Sequence, residues 1–260
     1  MQEKTPDRLY IKLVGIFLIP LIAITAYSFV GEFTLGDFTL QQAKIASHFK
    51  PKADEPDISL IDSTLLSVSD TAVVDTTAQR ILLLGDSMVE GLSKRMRNYA
   101  AENGHELLNV IWYSSSTKIW AQYDTLSHYI RQFDPTYIML CLGGNELSVR
   151  DLDKRDEAIQ TIISKIGDRP FIWIGPPNWK QDTGINELIK KNAGAGRYYP
   201  SKRLTYKRKE DGAHPVQESS NQWMDSVAVW VADSAAYRIR MVPPQSTEQK
   251  GRTVILSPLK

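Results

Sequence analysis

Four short runs hold residue types that could do chemistry together: Gly85, Asp86 and Ser87; Ser114, Ser115 and Ser116; Gly143, Gly144, Asn145 and Glu146; and Asp211, Gly212, Ala213 and His214. They supply a hydroxyl nucleophile, positions for oxyanion donors and an Asp/His pair. A serine hydroxyl needs a base within hydrogen-bond reach to attack a carbonyl. Asp211 precedes His214 by three residues, with Gly212 between them and Pro215 after. Such a loop can aim the imidazole while the carboxylate fixes its tautomer. Asn145 follows two glycines, and its amide can donate to a developing oxyanion. The chemistry these groups predict is cleavage or transfer of an acyl group.

The elements around them must bring these runs to one place. Ile81 to Leu84 is a short continuous apolar run ending at Gly85, the mark of a strand buried on both faces. Leu107 to Tyr113, Tyr137 to Leu142 and Phe171 to Ile174 read as further strands. Helices are expected between them. Met88, Leu92, Met96 and Tyr99 recur at helical spacing, Trp120 to Phe133 reads as one helix, Ile159, Ile162, Ile163 and Ile166 stripe another, and Met224 to Val231 lies in the last. Strand–helix alternation predicts an α/β fold with a parallel sheet and helices on both sides. Ligands in such sheets bind beyond the carboxyl ends of the strands, where all four runs fall.

Residues 80 to about 232 resemble the SGNH (GDSL-type) hydrolase family, as a membrane-anchored or secreted bacterial member, with blocks in this order. The resemblance implies a flavodoxin-like three-layer α/β/α sandwich. It also implies Ser87 as nucleophile, Asp211 and His214 as its relay, and an oxyanion hole formed by Ser87, Asn145 and a donor in the second block. The chain departs from the family twice. No glycine stands in the second block, so Ser115 is the donor by position alone. Glu146 replaces the usual aspartate of the third block, and little effect on chemistry is expected there.

The totals exclude some functions. The chain has 260 residues, 42% hydrophobic and 23% charged, with a net charge of +1. That is a globular composition with no global case for nucleic acid. Cys141 lies in an apolar strand and reads as a small core residue. His48 stands in the spacer, His105 in a turn after Asn103 and Gly104, and His128 on a helix. No cluster has metal-ligand spacing and no glycine loop cradles a phosphate, so neither metal nor cofactor is implied.

Leu13 to Gly31 carries no charge, and as a helix it would span about 28 Å, roughly a bilayer core. Lys4, Arg8 and Lys12 precede it, which predicts residue 1 in the cytoplasm and a periplasmic catalytic part. Secretion after signal cleavage is the alternative. The expected organisation is a membrane anchor or signal segment at 1–31, a partly disordered spacer at 32–79 with a short helix over Leu40–Phe49, a hydrolase domain at 80–240, and an irregular tail at 241–260.

Between Lys180 and Lys209 stand nine Lys or Arg against two acids, Asp182 and Glu187, a run suited to steering an anionic glycan or headgroup. Trp179, in a loop, is the candidate for stacking on a sugar, and Gly144 is a second candidate for substrate contact. The function expected is a serine esterase removing a short, acetyl-like acyl group from an acylated carbohydrate of the cell envelope or an exported polysaccharide. The alternatives are O-acyl transfer onto a glycan, a lipase or thioesterase, and a non-catalytic glycan-binding protein.

Overall fold

The computed structural model describes residues 33–35, 38–40 and 73–259. Two compact units divide the chain, Met1–Leu66 and Ser67–Lys260. In the first, β1 (Phe33–Leu35) pairs antiparallel with β2 (Phe38–Leu40). The expected membrane segment lies outside the described residues, and so does the helix expected over Leu40–Phe49 except for Leu40, which ends β2. Among the described residues no helix is long and apolar enough to cross a membrane.

The second unit is α/β, built on a six-stranded parallel sheet. In chain order its elements are β3 (Arg80–Gly85), α1 (Val89–Asn103), β4 (Glu106–Trp112), α2 (Thr117–Gln122), α3 (Thr125–Phe133), β5 (Tyr137–Cys141), α4 (Leu152–Ile166), β6 (Phe171–Ile174), α5 (Ile185–Ala193), β7 (Tyr198–Tyr199), α6 (Gln217–Asp233) and β8 (Arg252–Leu256). The strand order across the sheet is β7-β6-β5-β3-β4-β8. β3 is central, pairing Gly85 with Ile111 of β4 on one side and with Cys141 of β5 on the other.

Successive strand residues point to opposite faces, so one run of apolar residues feeds two cores. Ile81, Leu83, Ile111, Met139 and Ile174 join Leu92 and Met96 of α1 and Trp223 and Val227 of α6 on one face. Leu82, Leu84, Val110, Leu140 and Trp173 join Trp120, Ile130, Ile162 and Ile189 on the other. Every one of these side chains is at most 5% exposed. Burying each contributes roughly 1.5–3 kcal/mol, which fixes the strand register and hence the site at the strand ends.

Two expectations are corrected. The helix expected over Trp120–Phe133 is two helices, because Tyr123 is extended (ψ 156°) and Asp124 restarts the chain into α3. The segment after Met241 is not wholly irregular: β8 adds an edge strand beside β4, with Asn109 donating its buried amide to the Arg252 carbonyl and the Thr253 hydroxyl. Its alternation was masked by exposed residues, as an edge strand requires only one covered side. The helix α5 and the two-residue β7 both lie inside the basic stretch, where charged residues interrupt the apolar pattern.

Candidate active site

Ser87 follows β3 in the turn that opens α1. Gly85 must be glycine, since a Cβ there would lie 1.9 Å from the Cys141 carbonyl oxygen of β5. Asp86 is fully buried and accepts the N–H groups of Met88 (3.0 Å) and Gly144 (3.2 Å). Burial pushes its carboxyl up to about 7, against the pull of those two donors.

The Asp/His pair sits on a short hairpin. Arg208 and Pro215 form an antiparallel bridge, and the Lys209 N–H donates to the His214 carbonyl at 2.8 Å. Asp211 Oδ1 accepts the N–H groups of Ala213 (2.8 Å) and His214 (2.9 Å), which leaves Oδ2 facing His214 Nδ1 at 2.8 Å. The His214 N–H, the imidazole and the Ala213 N–H together hold the exposed Asp211 carboxyl down at about 2. It is therefore ionised at working pH and fixes the imidazole with Nδ1 protonated. The other nitrogen, Nε2, lies 2.8 Å from Ser87 Oγ and is left to accept the hydroxyl proton. Ser87 and His214, separated by 127 residues, thus meet at hydrogen-bond distance.

The oxyanion donors need a correction in the second block. The Ser115 N–H donates to the Trp112 carbonyl at 3.2 Å inside a tight turn, and Ser115 Oγ accepts the buried Trp120 indole N–H at 2.9 Å. The left-handed residue of that turn is Ser114, at φ 58°. Ser114 is exposed, and its N–H has no acceptor among the described residues. The position that a glycine would suit is therefore Ser114, and its N–H replaces that of Ser115 as the candidate donor. The missed signal was phase within the three serines: the residue closing a turn bonds back, and the one before it takes the positive φ.

Asn145 stands in a single 3-10 turn, Gly144–Glu146, after Gly143 at φ 110°. One of its two amide hydrogens goes to the Ser115 carbonyl at 2.9 Å. The second stays available to a ligand. Gly144, expected at the substrate, has its N–H bonded to Asp86 and its carbonyl bonded to the Trp179 indole N–H at 3.1 Å, so it shapes the turn instead. Trp179 is 37% exposed, anchored beside this turn, with the Lys180 ammonium 4.5 Å from its ring centre.

Most of the basic run is occupied. Arg208 donates to the carbonyls of Ala213, Pro177 and Asn178, stapling the hairpin to the Trp179 loop. Lys202 pairs with Glu187, Lys207 with Glu218, and Lys191 with Asp156. Lys209 alone of the run lines the cavity beside Ser87, joined by Lys94 from α1. Arg208 as a staple was hidden by its charged neighbours, which all read alike in sequence.

Two further titratable groups, His105 and Cys141, lie away from the relay in the core. His105 is fully buried, accepting the Gln79 N–H on Nδ1 and facing the Arg240 carbonyl with Nε2, and burial lowers its pKa. Cys141 is buried in β5, and burial raises its thiol well above the usual range. Among the described residues no group of His, Cys, Asp and Glu could hold a metal ion.

Comparison with protein-family models gives no match, and comparison with curated proteins gives none either.

Proposed function

We propose that this chain is a serine esterase of SGNH type acting on a short acyl ester of a carbohydrate. The observation that carries this reading is the unbroken relay from Asp211 through His214 to Ser87, with both links at 2.8 Å. A glycan-binding module has no need of a nucleophile, a base and an orienting carboxylate in hydrogen-bond contact. The strand order supports a flavodoxin-like sandwich: counted from β3, the first five strands run 2-1-3-4-5, with β8 as an added edge.

His214 Nε2 removes the proton as Ser87 Oγ attacks the ester carbonyl. The oxyanion forms against the Ser87 N–H, the Ser114 N–H and the free Asn145 amide hydrogen. His214 then returns the proton to the departing sugar oxygen as the C–O bond breaks. Water, deprotonated by the same imidazole, attacks the acyl carbon, and the imidazolium returns that proton to Ser87 Oγ as the acyl–oxygen bond breaks and the acid leaves.

A short acyl group suits the cavity beside Ser87, which is about 30 Å³ and bounded by Met88, Gly91, His214 and Ser220. That is room for about two water molecules. Trp179 offers a flat face to a sugar, and Lys94 and Lys209 favour an anionic one. The uncharged segment Leu13–Gly31 behind three basic residues supports a membrane tether with the catalytic unit in the periplasm.

Incubation with a fluorophosphonate probe, followed by mass spectrometry, is expected to place the adduct on Ser87. Ser87→Ala should abolish turnover of a small acyl ester with the fold retained. Parental turnover in that variant would remove the esterase from this account.

A further inference from the structure

Glu146 is 1% exposed, immediately after the oxyanion candidate Asn145, and its carboxylate does not face solvent. Oε2 accepts the Thr117 N–H at 2.7 Å and Oε1 accepts the Thr117 hydroxyl at 2.8 Å. Arg155 Nε of α4 lies 2.6 Å from Oε1, and Arg155 is held from its outer side by Asp151 at 3.0 Å. Thr117 begins α2 directly after the Ser114–Ser116 turn. Glu146 therefore joins the two turns that carry the second and third oxyanion donors, in parallel with the Asn145 amide on the Ser115 carbonyl.

Stability alone is a weak reason for this arrangement. The cost of taking a carboxylate and a guanidinium out of water roughly cancels their attraction, and well-packed apolar residues often do as well. What an apolar pair cannot supply is direction. Two oxygens bonded to one threonine fix both the distance and the rotation of one turn against the other. An oxyanion hole needs donors fixed within a few tenths of an ångström before charge develops.

We infer that Glu146 is the positioning residue of the oxyanion hole, locking the Asn145 turn to the Ser114 turn through Thr117 and Arg155. The inference rests on the serine-esterase reading above. Glu146 touches no reacting atom and acts through Asn145 and the Ser114 N–H. The glutamate is long enough to reach both Thr117 and Arg155.

The test is steady-state kinetics on a short acyl ester with the full chain, comparing the parent, Glu146→Gln, Asn145→Ala and the double variant, with thermal unfolding on each. Removing one oxyanion donor costs on the order of 10²–10³ in kcat. Glu146→Gln, which misaligns a donor without removing it, is expected to lower kcat about 10- to 100-fold with KM within about twofold. Because Asn145→Ala already removes one of the two donors that Glu146 positions, the double variant should lose clearly less kcat than the product of the two single losses. Parental kcat in Glu146→Gln, or losses that multiply independently in the double variant, would overturn the inference while leaving the esterase intact. A parent with no Ser87-dependent turnover overturns the esterase reading and this inference with it. Should Glu146→Gln fail to fold, Thr117→Val removes only the hydroxyl bond. It is expected to lower kcat several-fold at constant KM, and parental kcat there overturns the proposal.

Discussion

The carboxylate of Asp86 accepts the backbone N–H of Gly144 across 3.2 Å, so the residue before the nucleophile is bonded to the residue before the candidate oxyanion amide. One buried acid thus sets the distance between β3 and β5 at the point where both leave the sheet.

Asp86 should leave a signature in pH-dependent stability. Its folded-state pKa stands at about 7 against an ordinary 3.8, so its stabilising contribution is complete below about pH 4 and is lost as pH rises through about 7. Glu146 is raised by burial as well and acts in the same direction, while His105, lowered by burial, acts in the opposite one. The informative quantity is therefore the stability gap between the parent and Asp86→Asn, measured by urea unfolding from pH 4 to pH 8. It should narrow by roughly 2–4 kcal/mol as pH rises. A constant gap would mean that the two backbone N–H groups, rather than burial, govern ionisation of this carboxyl.

Arg208 should matter more to turnover than its position in a basic run suggests. Arg208→Met strips hydrogen bonds from the Ala213, Pro177 and Asn178 carbonyls and frees the hairpin that carries Asp211 and His214. Loss of about 1–3 kcal/mol of stability is expected, with kcat down roughly tenfold or more and faster amide exchange over residues 207–216. Parental kcat with unchanged exchange would show that the hairpin holds itself.

The three serines of the second block should separate cleanly. Ser115→Ala leaves the Trp120 indole N–H buried without its acceptor, which costs about 1–3 kcal/mol. Ser114→Gly relieves a left-handed backbone while loosening the unfolded chain, two effects of about 1 kcal/mol each that oppose one another. Stability and kcat of Ser114→Gly should therefore stay near the parent. If Ser114→Gly proves the more damaging of the two, the assignment of the turn is wrong.

The sequence alone determined the sheet's central strands, the helices α1, α4 and α6, and the order of the four runs. These follow from period-two and period-3.6 burial, which is a local property of the chain. It also marked Ser87, Asn145, Asp211 and His214, because their types and loop positions suit one chemistry. Only the tertiary structure decided which neighbour of a marked residue does which task. Ser114 rather than Ser115 takes the positive φ, Gly144 shapes a turn, Arg208 staples a hairpin, and Glu146 bonds Thr117 while facing Arg155 of α4. Each of those outcomes depends on a partner 5 to 60 residues away or on backbone direction within a turn, and neither is encoded in spacing. The edge strand β8 shows the same limit: its exposed alternation becomes a strand only because β4 offers a free row of backbone donors and acceptors.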